Sequence, residues 1–282
     1  MATFFNQAAL NLGGNQLNSN ITEGQLLGGL TLTKTALSGD YERGGYIAYA
    51  LTVANNGFND VGGVSVTDDL GAFTLGTETL IPLTYVDGSL LFYENGAPAT
   101  APAVTVDSGV TFSNITVPGG GNVTLIYGAR VNGFAPLEAG AAITNTVTLT
   151  GPEELTATAV VPVREGTALS IAKVLCPEVL TNSCEVTYTF VIQNGGNVPV
   201  LATDNLTLTD TFSPALSNVT VTLNGAALTE GTGYTYDEQT GEFATLNGAL
   251  PVPMATFTRD EVTGNTVTTP GYAVVVVRGN IC

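Results

Sequence analysis

The feature that most constrains this chain is an internal duplication whose second copy stops early. Gly45-Tyr46-Ile47-Ala48-Tyr49-Ala50-Leu51-Thr52-Val53 is rich in aromatic and β-branched residues and ends at the turn signal Asn55-Asn56-Gly57. Val186-Thr187-Tyr188-Thr189-Phe190-Val191-Ile192 repeats it and ends at Asn194-Gly195-Gly196, aligned without a gap at the 139-residue spacing that separates Lys34 from Lys173. Val66-Thr67-Asp68 then matches Leu208-Thr209-Asp210, and Asn95-Gly96-Ala97 matches Asn224-Gly225-Ala226. Pro118-Gly119 and the strand through Gly128 match Pro270-Gly271 and the strand through Gly279. Short strands about ten residues apart, separated by Gly, Pro and Asn, predict an all-β chain of two tandem immunoglobulin-like antiparallel sandwiches. The expected division is an arm and linker over 1–29, a complete sandwich over 30–162 and a second over 163–282.

The first copy continues into Ala141–Thr150, a strand with Ile143, Asn145, Val147 and Leu149 on one face, whereas only Asn280-Ile281-Cys282 follow Gly279. The second copy is therefore expected to lack its last strand. A matching segment stands at the other end of the sequence. Phe4, Asn6, Ala8 and Leu10 fall on Ile143, Asn145, Val147 and Leu149, Asn on Asn. A sandwich short of an edge strand exposes an apolar groove and unpaired backbone groups. Filling it from another copy is strand addition, which joins subunits head to tail in an open chain. Two alternatives stand: closure of the arm onto its own second copy, which the reach of residues 13–29 allows, or a plain edge strand.

Charge and composition narrow the function. Seven Lys and Arg stand against 24 Asp and Glu, a net charge of −17, which is no footprint for a phosphate backbone. The chain has no His, which removes the commonest general base and most zinc sites. No nucleophile–base or carboxylate pair stands out, so an enzyme acting on other molecules is not expected, nor is a metal or cofactor. No apolar run is long enough to span a bilayer. Met1-Ala2-Thr3 carries no basic leader, so no secretory signal is expected.

Lys34 and Lys173 are the only two lysines and occupy the same place in the two copies. Either they are exposed edge lysines, or they form isopeptide bonds in which a buried neutral amine attacks an Asn amide polarised by a protonated carboxylic acid. Burial disfavours both charges of such a Lys–Asp pair. In the first copy the candidates are Lys34, Asn145 and the acid Asp68, with Asp69 as a second choice. In the second they are Lys173 and the acid Asp210, with Asn6 of another subunit as the electrophile and Asn280 as the intrachain competitor. Cys176 and Cys184 are placed to bridge a hairpin, which leaves Cys282 free or available between chains.

Lys34-Thr35, the Tyr49–Gly57 segment, Val66-Thr67-Asp68-Asp69-Leu70 and Ile143–Gly151 together resemble the tandem repeats of bacterial surface proteins known as domain of unknown function eleven. The two-repeat layout with an Asn-Gln-Ala leader is also similar to subunits of clostridial-type filaments such as endospore appendages. The resemblance implies Ig-like sandwiches on an envelope, some carrying Lys–Asn isopeptides. The expectation is thus an extracellular structural subunit on a cell or spore surface whose partner is itself, joined to a surface anchor, with no nucleic acid and no membrane insertion. The rival is a monomeric adhesin whose sandwich loops carry recognition.

Overall fold

The computed structural model describes residues 2–26, 29–179 and 184–281. The chain divides into two compact units, residues 1–136 with 142–162, and residues 137–141 with 163–282. Nearly every element is a β-strand, and among the described residues the sole helical element is a 3-10 turn over Ala202–Asp204.

The first unit begins with a ribbon. Strands β1 (Ala2–Asn6) and β2 (Ala9–Leu12) run out, and β3 (Asn15–Asn18) and β4 (Thr22–Leu26) return. Their register runs from Ala2↔Leu26 to Asn6↔Thr22, and then from Ala9↔Asn18 to Leu12↔Asn15. The turn is Gly13-Gly14, at φ +59° and +85°, the left-handed backbone that a two-residue hairpin turn requires. Between the two ladders Gln7-Ala8 face three residues, and the Ser19 hydroxyl accepts from the Ala8 N–H at 2.9 Å. The single strand expected over 4–10 is therefore interrupted at Gln7-Ala8, and half of the expected linker is a returning strand. Side chains from Phe5 to Glu23 are exposed throughout, among them Leu10 at 75% and Leu12 at 84%.

The sandwich of the first unit comprises β5 (Leu30–Ala36), β6 (Tyr46–Asn55), β7 (Val61–Asp68), a small hairpin of β8 (Phe73–Leu75) and β9 (Glu78–Leu80), and β10 (Leu83–Tyr85). It continues through β11 (Leu91–Glu94), β12 (Ala97–Pro98), β13 (Ala103–Val106), β14 (Val110–Val117), β15 (Asn122–Val131), β16 (Ala142–Thr150) and β17 (Leu155–Pro162). One sheet has the order β12-β11-β15-β6-β5, with β10 also on β15, and the other β13-β14-β7-β16-β17. Alternation selects the core. Ile47, Tyr49, Leu51 and Val53 of β6 face Val64, Val66, Phe112 and Leu149 from the opposite sheet, all fully buried.

The second unit has β18 (Leu169–Cys176), β19 (Glu185–Asn194), β20 (Thr209–Thr211), β21 (Ser217–Leu223), β22 (Ala226–Leu228) and β23 (Tyr234–Tyr236). It ends with β24 (Glu242–Thr245), β25 (Thr256–Arg259), β26 (Thr266–Thr269) and β27 (Gly271–Asn280). Its first sheet, β18-β19-β27-β21-β22, repeats β5-β6-β15-β11-β12, and β20-β24-β23 repeats β7-β14-β13, while β25-β26 is a separate ladder. The core gathers Phe190, Phe212, Phe243 and Val275. The two sheets differ at one edge. In the first unit β7 is paired by β14 on one side and β16 on the other, whereas β20 is paired by β24 alone among the described residues.

The expected Cys176–Cys184 bridge is not formed. Cys176 is free and exposed, while Cys184 is disulfide-bonded. The register explains this: Cys176 faces Thr187, three positions past Cys184, so the two cysteines are not opposite each other. Cys282 lies outside the described residues.

Phe112 is fully buried and packs against the rings of Tyr85 and Tyr127 at 6.2 and 5.2 Å. Phe112→Ala is expected to destabilise the first unit by about 3–5 kcal/mol, read as a lowered denaturant midpoint for its tyrosine signal.

Candidate functional site

The site in the first unit is built where two sheets face each other across a buried cation. Lys34 lies mid-way along β5, opposite Leu51 of β6, and points inward. Asp68 closes β7. The Lys34 Nζ to Asp68 Oδ2 distance is 2.6 Å, and neither side chain has any solvent exposure. The Tyr127 hydroxyl donates to the same carboxylate oxygen, and the Leu70 N–H donates to Asp68 Oδ1 at 2.8 Å. The Tyr49 ring lies under Lys34 Nζ, 4.9 Å from its centroid, and stacks on Tyr127. Taking two charges out of water is costly, and the pair stands only because these donors and rings complete it.

Asn145 enters the same interior from β16. It is fully buried; its Oδ1 accepts from the Gly71 N–H at 3.1 Å. Its Nδ2 and the Tyr49 hydroxyl are both buried and make no hydrogen bond of good geometry among the described residues, although Asn145 lies near enough to Tyr49 to oppose the upward push of burial on that phenol. An orphaned buried amide nitrogen is uncommon and asks for an explanation. The approach of Gly71 depends on glycine: at φ +75° it takes the left-handed backbone, and a Cβ would lie 2.6 Å from Ile143 Cγ2. Asp69, the second-choice acid, instead accepts from the Gly71 and Thr146 N–H groups, tying β16 to the end of β7.

Burial sets the titration. Desolvation pushes the Lys34 amine below its ordinary value, against the pull of Asp68. Burial raises Asp69, opposed by its backbone donors. Burial raises Tyr127 well above the usual phenol, reinforced by the neighbouring Asp68 charge, and it raises Tyr49 as well.

The second unit repeats the pair in a different setting. Lys173 of β18 contacts Asp210 of β20, and its Nζ lies 4.7 Å from the Tyr188 centroid, as Lys34 does over Tyr49. Phe190 and Phe212 add further rings at 5.4 Å. Here the side chains are 41% and 19% exposed instead of sealed. Two groups present in the first unit are missing. Val277 stands in the row that Tyr127 occupies, and no strand among the described residues fills the place of β16.

The candidates thus separate clearly. Lys34 and Asp68 are in contact, with Asn145 buried in the same interior, and Lys173 and Asp210 are in contact. Asn6 lies on β1, in a ribbon whose ladders are all internal. Phe4 and Asn6 on β1 and Leu10 on β2 belong to this ribbon, with Ala8 between the two strands. Asn280 is poorly placed: Lys173 shares a row with Phe190 and Val275, and Asn280 lies five residues further along β27, about 17 Å at strand rise. Sequence reasoning missed Tyr127, Tyr49 and Gly71. The Tyr49/Tyr188 match was a usable signal for one of them; Tyr127 has no counterpart that could have drawn notice.

No family model and no curated protein matches the chain. Among solved structures it is similar to the major pilin subunit of Bacillus cereus, at 12% identity and TM-score 0.37, covering 95% of this chain and 73% of that one. It is also similar to the 35 kDa C-terminal fragment of the major pilin of Streptococcus agalactiae, at 11% identity and TM-score 0.34, covering 86% and 91%. A third is the collagen-binding subdomain of the Enterococcus faecalis surface protein ACE, at 9% identity and TM-score 0.31, covering 46% and 94%.

Asn145→Ala leaves Lys34 as a buried amine whose folded pKa lies below its unfolded value of 10.5. Between those two values the unfolded chain holds more protons, so the Lys34 contribution to stability rises with pH and levels off above 10.5. Urea midpoints of this variant are expected to climb between neutral pH and pH 10.

Proposed function

We propose that this protein is the structural subunit of an extracellular filament, polymerising head to tail. In this reading the N-terminal arm of one subunit completes the second sandwich of the next, and Lys–Asn isopeptide bonds lock both sandwiches. The observation that carries the reading is the contrast between two copies of one site. Lys34–Asp68 is sealed beneath β16, whereas Lys173–Asp210 stands partly open at a strand edge that is unpaired among the described residues, in a chain whose arm leaves its own apolar residues in water. The disulfide at Cys184 suits an oxidising location such as a cell or spore surface.

The energies favour association. Leu10 and Leu12 each contribute about 1.5–3 kcal/mol on full burial. Each new ladder hydrogen bond adds roughly 0.5–1.5 kcal/mol. Laid on β16, the arm would pair Ala8 with Asp210 and Leu10 with Leu208, as Val147 pairs Asp68 and Leu149 pairs Val66. The contact is heterologous, so it propagates instead of closing.

The covalent step is an amide exchange. The proton shared by Lys34 Nζ and Asp68 moves to the carboxylate, leaving the amine lone pair to attack Asn145 Cγ. The Gly71 N–H polarises the amide carbonyl, and Asp68 passes that proton to the departing nitrogen and takes up the one that Nζ sheds. The new bond is Nζ–Cγ, the broken one is Cγ–Nδ2, and ammonia leaves. An Nδ2 with no hydrogen bond of good geometry to hold it suits a leaving group. In the second unit Lys173, Asp210 and the neighbour's Asn6 would play the same parts.

Two measurements test this. Intact mass is expected to fall by roughly 17 Da, one ammonia, for each bond formed, and Asp68→Ala is expected to restore that mass for the first unit; an unchanged mass in the folded wild-type chain removes the chemistry. Electron microscopy at neutral pH is expected to show fibres, lost on deletion of residues 1–28. Fibres that survive the deletion refute strand donation.

A further inference from the structure

Strands β16 and β17 are the two halves of one hairpin, paired from Ala142↔Pro162 to Leu149↔Leu155. Both places are empty in the second unit among the described residues. The consequences appear on two strands. The β20 edge lacks the neighbour that β7 has in β16, and β18 lies uncovered where β5 runs alongside β17. Leu30 on β5 is 5% exposed, whereas its counterpart Leu169 on β18 is 43% exposed and Ile171 is 58% exposed. One added strand beside β20 would repair the first defect and leave the second.

The arm has two strands to give. Its register sets Asn6 opposite Thr22 and Leu10 opposite Leu17, as β16–β17 sets Asn145 opposite Ala159 and Leu149 opposite Leu155, with one extra residue on the returning side of the arm, where Gln7-Ala8 face three residues. Its two sides, residues 2–12 and 15–26, are long enough to replace Ala142–Thr150 and Leu155–Pro162. The order along the chain agrees as well. The β16–β17 hairpin leads shortly into β18, and the N-terminal hairpin leads shortly into β5. The chain therefore reads hairpin, core, hairpin, core, with the inner hairpin completing the core before it.

We infer that the donated element is the whole hairpin of residues 2–26, entering the neighbour's second sandwich as two strands, β1–β2 beside β20 and β3–β4 over β18. This rests on the strand-donation reading above and adds the half of the interface that a single strand leaves bare. The receiving surface is an apolar cleft of about 200 Å³ lined by Leu169, Ile171, Ile192, Leu206, Leu208 and Leu250. The facing pair Leu10 and Leu17, 75% and 72% exposed in the ribbon, fills it. The occupant is a second copy of this chain because the same hairpin-on-core pairing already exists within it.

Two full-length variants separate the inference from the reading beneath it. L17D/T22P disables the returning strand and leaves residues 2–12 unaltered; A8P/L10D disables the outgoing strand. Every altered side chain is exposed in the ribbon, and the prolines remove backbone contacts within the ribbon alone, so the two sandwich cores of the free subunit are expected to melt as in the wild type. Both variants are expected to lose fibre formation in sedimentation and electron microscopy. Fibres from L17D/T22P but not from A8P/L10D would mean that one strand is donated, and the hairpin inference falls while donation stands. Fibres from A8P/L10D would overturn donation itself.

Discussion

A β-strand carries a hydrogen-bonding row on each side, and both rows must be satisfied wherever water is excluded. In this chain that constraint governs almost everything else. In the first unit it is met at β7 by β14 and β16, and the interior so closed holds a lysine, a carboxylate, an amide and two tyrosines away from solvent. In the second unit the equivalent strand has one row unmet among the described residues, and the equivalent lysine and carboxylate are wet. Pairing of one edge and burial of one ion pair are thus the same event seen at two scales.

That coupling gives the polar interior its chemical meaning. A Lys–Asp pair on an open surface contributes little, since solvent screens it. Sealed, it becomes costly to keep charged, and the amine is driven toward the neutral form in which nitrogen is a nucleophile. The strand that seals the site also brings the Asn145 amide. In the isopeptide reaction proposed above, covering, activation and delivery of the electrophile would arrive on one element, and the reaction would wait for the sandwich to be complete.

Much of this was legible in the sequence, and for identifiable reasons. Alternation placed Tyr49, Leu51 and Val53 in a core because a strand's period is rigid, and the repeat spacing brought Lys34 and Lys173 to equivalent positions. The Lys34–Asp68 and Lys173–Asp210 contacts followed from that spacing. The arm was harder. Residues 4–10 resemble Ile143–Leu149 strongly enough to suggest one continuous strand, and the Gly13-Gly14 turn went unread although a glycine pair between Leu12 and Asn15 is a hairpin signal. Tyr127 was invisible because its role depends on a cross-sheet neighbour, and Val277 in the other copy erased the repeat clue. The cysteine pairing failed because strand register, not nearness in sequence, decides which thiols meet.

The position of Lys34 and Asn145 along the chain has a mechanical meaning. Lys34 sits on the strand by which the polypeptide comes into the first sandwich, and Asn145 sits on the last hairpin before it goes out. With a bond between them, tension applied to the two ends would travel from β5 to β16 through a single covalent link. The strands between β5 and β16 would bear no load, which would fall instead on the β16–β17 ladder that follows Asn145.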